Sequence, residues 1–452
     1  MNVNSPVSDW IAVDFRGRKD IFHFMGKTDK IKQSASSNQH VVVIGAGPAG
    51  LFAAINAARG GTRVTVLDRM PQPALKLLAA GGGRANITNT FSEQEFIARF
   101  GRKGRFMTSA LRALSRDRLL TLLAEWGVPC HAPDKVHYFP KANRSSAVLE
   151  AMLRQVAALR IDLRTNVAVT ELLLHDHRIC GVRTKNGDLV ADAVILATGG
   201  AGYTQLGGNL SGYDLARQAG HQIVPIVPGL VGLRTRETWS AACPGITIPE
   251  SEARIVHCTH ARDVWQGDLL FTHHGISGPC ILDASAAVCR LLLKDPEVLI
   301  TLRLTNRQGT SADWRSLLND WRKAHGKRTM HSLMAGLMPH QLAITLCSAL
   351  GIQSAMTIAR LPKEMAERIA GMLEATNVHV VGSEGFERAM VTSGGVSLKE
   401  IHPATLGSRV CAGLFFAGEI LDLDGPCGGF NLQWAFSSGW LSGNAAGGVS
   451  DA

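Results

Sequence analysis

The chain has 452 residues, 46% of them hydrophobic and 19% charged, a balance that fits a folded globular protein and excludes wholesale disorder. No run of 18 apolar residues occurs and the N-terminus carries no apolar signal core, so the reading is a cytoplasmic protein with no membrane partner. The formal net charge of +10 raises the question of an anionic partner.

Residues 1–39 are polar, show no period and read as a mobile leader. Ordered structure is expected from His40-Val41. Val41–Ile44 reads as a strand, Pro48–Gly60 as a helix rich in Ala and Leu, and Arg63–Asp68 as a second strand, giving β-α-β with a tight first turn. Residues 105–127 and 145–159 read as helices, Ile161–Leu174 as strands, Leu189–Thr198 as a buried strand and 212–220 as a short helix. From about residue 223 short apolar or alternating segments with many turn residues indicate a mostly β insertion. Residues 311–375 read as helical, broken by Gly and Pro, and Val378–Val391 returns to β character. Gly413–Glu419 reads as a strand and Phe430–Gly443 as a helix. The nine cysteines are scattered, and none has C-x-x-C spacing, so neither a metal site nor a dithiol centre is expected.

Glycine, at 47 residues, exceeds the roughly 7% of an average chain and is clustered where chemistry is expected. In Val41-Val-Val-Ile-Gly45-Ala46-Gly47-Pro48-Ala49-Gly50 a G-x-G-x-x-G pattern follows a strand and opens a helix. Gly45 permits the turn, Gly47 lets a pyrophosphate approach the backbone, and Gly50 lets helix and strand pack closely. Asp68 closes the second strand 23 residues after Gly45, where its carboxylate can accept from ribose hydroxyls. An acid there disfavours a 2′-phosphate, so an NAD-like nucleotide or FAD is expected. Near the other end, Gly413-Leu-Phe-Phe-Ala-Gly418-Glu419 is followed by Gly428-Gly429-Phe430-Asn431-Leu432. A strand ending in an acid, then a Gly turn into a helix, suits the second half of an FAD site. The acid can accept from ribityl hydroxyls, and the helix start can face the flavin edge that becomes negative on reduction. Ala197-Thr198-Gly199-Gly200 ends a buried strand as chains passing a nucleotide do. Lys76 and the loop Gly81-Gly82-Gly83-Arg84-Ala85-Asn86 bring backbone, Arg84 and Asn86 within possible reach of the cofactor. Cofactor contacts are therefore expected at Gly45, Ala46, Gly47, Pro48, Ala49, Gly50, Asp68, Arg69, Lys76, Gly82, Gly83, Arg84, Asn86, Val169, Ala197, Thr198, Gly199, Gly418, Glu419, Gly429, Phe430, Asn431 and Leu432.

Five segments together carry a resemblance: Gly45–Gly50, Lys76–Asn89, Leu270–Pro279, Thr392–Leu398 and Gly418–Ala435. Over roughly residues 40–447 the chain resembles the bacterial aminoacetone oxidase-like FAD-binding flavoproteins, which also include bile-acid-type enone reductases and many members of unknown role. The resemblance implies one FAD and an α/β fold. That fold is a discontinuous Rossmann-like FAD-binding domain with an inserted β-barrel-like domain, which itself carries a small helical domain. The corresponding boundaries are 40–222 and 392–452 for the FAD domain, 223–308 and 376–391 for the β-rich substrate domain, and 309–375 for the helices. The chain departs from the family at Ala85, where Cys is usual, at His274, where Tyr is usual, and at Pro426-Cys427.

The expected activity is an FAD-dependent oxidoreductase moving a hydride between flavin and a small organic substrate of the amine, ketone or enone type. No second G-x-G-x-x-G follows a strand, so NADH or NADPH would serve only as a diffusible donor. Candidate catalytic groups are His273 and His274, whose imidazoles can titrate near neutral pH. Tyr203 and His137-Tyr138 are weaker candidates. Arg99, Arg102, Lys103, Arg105, Arg112, Arg116 and Arg118 surround a single acid, Asp117. Aromatic residues for base stacking are few there, so a solvated face is the preferred reading and a nucleic-acid partner is not expected. A flavin-dependent RNA-modifying or RNA-binding protein and a non-enzymatic FAD redox sensor are the alternatives. No oligomeric state is assigned.

Overall fold

The computed structural model describes residues 39–448 except 261 and 306; the expected leader therefore lies, apart from Gln39, outside the described residues. A five-stranded parallel sheet runs in the order Leu414–Phe416, Ala193–Leu196, His40–Ile44, Arg63–Leu67, Asp162–Arg164. Its second strand in this order pairs Val194 with Leu414 on one side and with Val42 on the other, so the two ends of the sequence meet around residues 193–196. Strands buried on both faces need continuous apolar runs, which Val41-Val-Val-Ile supplies. Val41 and Val43 enter one core with Phe52, Phe436 and Trp440, while Val42 and Ile44 enter another with Tyr213, Phe416 and Trp434.

The first core is closed by the helices Pro48–Arg59 and Phe430–Ala446, which pack closely against each other. Glycines recur every fourth residue on the second helix. A β-carbon at Gly439 would strike the carbonyl of Ala49, and one at Gly443 the carbonyl of Ala53. Asn56 donates to the Trp440 carbonyl (2.8 Å), and Thr62 donates to that of Gly447 (2.9 Å). Phe52 packs against Phe436 and Trp126 with ring centroids 4.5 and 5.5 Å apart.

The insertion is a closed six-stranded barrel in the order Leu233–Thr235, Gly275–Ser277, Trp265–Thr272, Thr247–Ile255, Val298–Arg303, Thr376–Ser383. Val298, Ile300 and Leu302 alternate inward, the period that a half-buried strand requires. Between its last two strands the chain makes the helices Ser311–His325, Met330–Met334, His340–Ala349 and Lys363–Glu374. The first of them starts at a capping box of Thr310 and Asp313.

Several expected elements are divided differently. Residues 105–127 are not one helix: Thr108–Ala113 ends at Leu114, and Arg116–Glu125 restarts where the Ser115 hydroxyl accepts the Arg118 N–H. Ile161–Leu174 splits into strands of two different sheets, as does Leu189–Thr198. Ile223–Gly229 lies outside the barrel. It pairs antiparallel with Val391–Val396 in a two-stranded ribbon, with an irregularity between Val224 and Val227. Pro279–Leu291 is a helix that alternation in the neighbouring segments did not reveal.

Two measurements test this packing. Gly443→Val should lower stability by at least the 1–3 kcal/mol typical of overpacking, seen as a lower melting midpoint; an unchanged midpoint would contradict the helix contact. Burial pushes the Cys130 and Cys347 thiols up to about 11. Unfolded thiols ionise from about 8.5 while the folded ones hold their protons, so stability should fall as pH rises from about 9 towards about 11. Urea titrations in reductant at both ends of that window should show the loss, and a Cys130→Ala/Cys347→Ala double variant should reduce it.

Candidate active site

The C-terminal ends of the parallel strands open on a cavity of about 650 Å³ whose wall includes Ile44, Leu67, Asp68, Ala197 and Ala417. Open α/β sheets bind ligands at this edge. The glycine turn is built for a close approach. Gly45 has φ +105°, and a β-carbon there would sit 2.5 Å from the Ala197 carbonyl. A β-carbon at Gly50 would strike the Gly45 carbonyl, whereas one at Gly47 meets nothing within 4 Å. The helix Pro48–Arg59 begins at Gly47 with no side-chain cap and no acid in its first turn. Its unpaired N–H groups are thus free for an anion. Asp68 stitches the turn: one oxygen accepts the Ala46 N–H (2.6 Å) and the other the Met70 N–H (2.8 Å).

The helix Phe430–Ala446 also begins uncapped, at Gly429 with φ +83°. Elsewhere Ser92, Ser115 and Thr310 cap their helices with side chains. The parallel register of Gly439 on Ala49 and Gly443 on Ala53 is an offset of 390, while the first helical residues, 430 and 48, differ by 382. The C-terminal helix therefore starts eight residues earlier, which at 1.5 Å per residue is about 12 Å along the shared direction. The turn before it is held from all sides. Asn431 accepts the Gly425 N–H (2.9 Å) and donates to its carbonyl (2.8 Å). Asn89 donates to the Gly428 carbonyl (2.8 Å), and the Asn86 amide, once its oxygen and nitrogen are exchanged to satisfy both, accepts the Gly429 N–H (3.3 Å). From the barrel side, Asp283 accepts the Cys427 N–H (2.8 Å).

Several charges at the wall and behind it have partners. Glu419 takes Lys76 on one oxygen (2.8 Å) and the Thr392 N–H on the other (2.8 Å). Lys103 reaches the buried Asp422 (2.6 Å). Asp424 accepts from the Ser393 hydroxyl (2.9 Å), which accepts from Arg290 (2.9 Å). Burial raises the Asp424 carboxyl above its ordinary range against the pull of Ser393, Lys103 and Arg290, and burial likewise raises Asp283. The Cys427 thiol is pushed up by burial and by Asp283.

Of the residues expected at the cofactor, Gly45, Gly47, Pro48, Ala49, Asp68, Arg69, Lys76, Gly82, Asn86, Val169, Ala197, Thr198, Gly199, Glu419, Gly429, Asn431 and Leu432 line this cavity. Ala46, Gly50, Gly83, Arg84, Gly418 and Phe430 are not part of its wall. Arg84 turns away and lies over the Phe139 ring, 4.9 Å from its centroid. Phe430 is buried against Phe96, 4.8 Å between centroids, because the aromatic cluster of Phe91, Phe96 and Phe100 captures it. His273 and His274 are exposed in the turn between two barrel strands and do not line the cavity. Tyr203, Leu230, Met390 and Cys427 do. Leu230 and Met390 had no motif to mark them, since the insertion's ends deliver them through the tertiary fold.

An anion cradle at one helix start and a second uncapped start farther along are what a pyrophosphate, ribityl chain and flavin ring demand in sequence. The residues present fit FAD, and the protein is an FAD-dependent oxidoreductase. It belongs to the HI0933-like protein Rossmann domain family, whose profile matches residues 39–445. It is 30% identical over 407 residues to the 3-dehydro-bile acid delta(4,6)-reductase of Clostridium scindens, covering 89% of this chain and 98% of that one. It is also 30% identical over 405 residues to the ribosomal RNA dihydrouridine synthase of Haemophilus influenzae, covering 88% and 96%. Identity to the Escherichia coli ribosomal RNA dihydrouridine synthase is 28% over 403 residues, covering 88% and 96%.

The two glycines of the turn separate cofactor binding from folding. Gly50→Ala should abolish soluble folded protein. Gly47→Ala should leave the melting midpoint of the apoprotein unchanged and cut flavin retained per chain several-fold, read by absorbance after denaturation. Equal flavin content in Gly47→Ala and parent would contradict the cradle.

Proposed function

We propose that this protein passes a hydride to a carbon–carbon double bond conjugated with a carbonyl group in a small organic substrate. The observation that carries this is the apolar lining of the cavity, to which Leu230, Leu423 and Met390 contribute, with Met390 41% exposed. Such a wall suits a largely apolar substrate with few polar groups. The names of the relatives support the bond type: a delta(4,6)-reductase of a 3-dehydro bile acid and a dihydrouridine synthase both saturate an alkene conjugated to a carbonyl.

In this reading Gly45, Gly47 and the helix start at Pro48 hold the pyrophosphate, Asp68 takes adenosine ribose hydroxyls, and Glu419, oriented by Lys76 and Thr392, takes the ribityl chain. Leu432 and the start of the C-terminal helix face the ring edge where negative charge develops. Bound FAD supplies a two-electron carrier. Electrons enter from NADH or NADPH docking transiently at the same opening.

A second reading, action on RNA, draws on the two dihydrouridine synthases. Against it, much of the basic segment is engaged within the protein. Lys103 pairs with Asp422, Arg99 lies over Phe91, Arg116 binds Asp117 and the Phe91 carbonyl, and Arg118 lies over Trp440.

The purified protein should be yellow. Anaerobic NADH or NADPH should bleach it, and 2-cyclohexen-1-one should restore the colour faster than uridine does. Restoration by ribosomal RNA but by no small enone, with RNA retained on filters at ~150 mM salt, would favour the second reading. A flavin that no donor bleaches would fit neither.

A further inference from the structure

We propose that Tyr203 is the acid of this site: its phenol protonates the substrate carbon next to the carbonyl as hydride reaches the far carbon of the double bond. This rests on the hydride-transfer reading above and adds to it the source of the proton. The cavity wall offers few groups that can give one. The carboxylates of Asp68 and Glu419 are occupied by two backbone N–H groups and by Lys76 with a backbone N–H. Cys427 is drawn to Asp283 on the barrel side, and the two histidines singled out from the sequence lie elsewhere. Of the three tyrosines, Tyr213 is 1% exposed and off the wall, and Tyr138 pairs with Thr88 in a small sheet. Tyr203 alone among them lines the cavity, whose wall also includes Met390 and Leu230.

The backbone holds Tyr203 in place at a cost. Its φ and ψ are 55° and 64°, the left-handed region that a residue with a bulky side chain rarely occupies. Such conformations persist where the surroundings over-determine them, and they gather at functional sites. Here the Tyr203 N–H donates to the Phe386 carbonyl (2.8 Å), and its own carbonyl accepts from Leu206 (2.8 Å) and Gly208 (3.2 Å). A β-carbon at the preceding Gly202 would lie 2.6 Å from the Ala389 carbonyl, so the segment is pressed onto the chain returning from the barrel. Tyr203 thus lies on the cavity wall where the loop after Thr198 is pressed against residues 386–389. It is half-buried, which raises its pKa above the ordinary tyrosine value, and Arg388 is the charge that faces it. A phenol in that setting is a proton donor at neutral pH, and Arg388 steadies the phenolate left behind.

The step balances. The hydride brings two electrons to the carbon remote from the carbonyl, and the double-bond pair moves onto the carbonyl oxygen as an enolate. The neighbouring carbon then takes the Tyr203 proton, and the phenolate recovers one from water. A reduced nicotinamide replaces the hydride. The sum is NAD(P)H, one proton and an enone giving NAD(P)⁺ and the saturated ketone.

The test uses holoenzyme with 2-cyclohexen-1-one, comparing parent, Tyr203→Phe and Tyr203→Gly. Tyr203→Phe should keep the flavin content and the rate of bleaching by NADPH or dithionite. Its reoxidation by the enone should slow by about 10²-fold or more, the usual share of a general acid. Tyr203→Gly should lose reoxidation as well yet melt at or above the parent, since glycine accepts the left-handed backbone; a merely structural tyrosine would lower the midpoint. A competent parent with an equally competent Tyr203→Phe overturns the role of Tyr203 alone. A parent that is reduced but never gives electrons to the enone overturns the hydride-transfer reading and this role with it.

Discussion

The contact between the first and last helices is the constraint on which the rest depends. Two backbones can approach this closely only where one of them lacks β-carbons, and Gly439 and Gly443 stand where such carbons would meet the carbonyls of Ala49 and Ala53. Dispersion between closely fitted atoms is weak per pair and large in sum, so the fit also sets the register. That register offsets the two uncapped helix starts by about 12 Å along the shared direction. One start suits a phosphate and the other the ring end of the same cofactor. Residues 430–446 must return to the helix at 48–59, so everything between them is hung from a sheet that both chain ends complete.

The insertion reaches the turn before the C-terminal helix through polar links. Asp283 holds the Cys427 N–H, and Arg290 reaches Asp424 through Ser393. Both carboxyls are shifted upward by burial, so these links sit in surroundings that disfavour extra charge. The turn at Gly45–Gly50, by contrast, is made from glycines and an uncapped helix start.

Part of the positive charge of residues 99–118 has partners within the protein. Lys103, Arg99, Arg116 and Arg118 each have a carboxylate, a carbonyl or an aromatic face within the protein. An arginine over a ring covers apolar surface as well as carrying charge. Of these, Lys103 and Arg116 are paired with carboxylates, while Arg99 and Arg118 remain exposed and keep their charge.

The sequence by itself determined the features that depend on neighbours in the chain: the strand-turn-helix at Val41–Arg59, the acid at Asp68, the second turn at Gly428-Gly429, and the cofactor class they imply together. These are local because glycine permits its own turn and a helix start presents its own N–H groups. The tertiary structure alone decided which side chains face the cavity. Arg84 and Phe430 sit inside strong motifs yet turn to aromatic neighbours, while His273 and His274 lie on a barrel turn away from the cavity. Leu230, Met390 and Asp283 carry no local signature, because their place depends on how the barrel's ends return to the sheet. Orientation about a backbone is settled by packing between segments hundreds of residues apart, and no spacing along the chain encodes it.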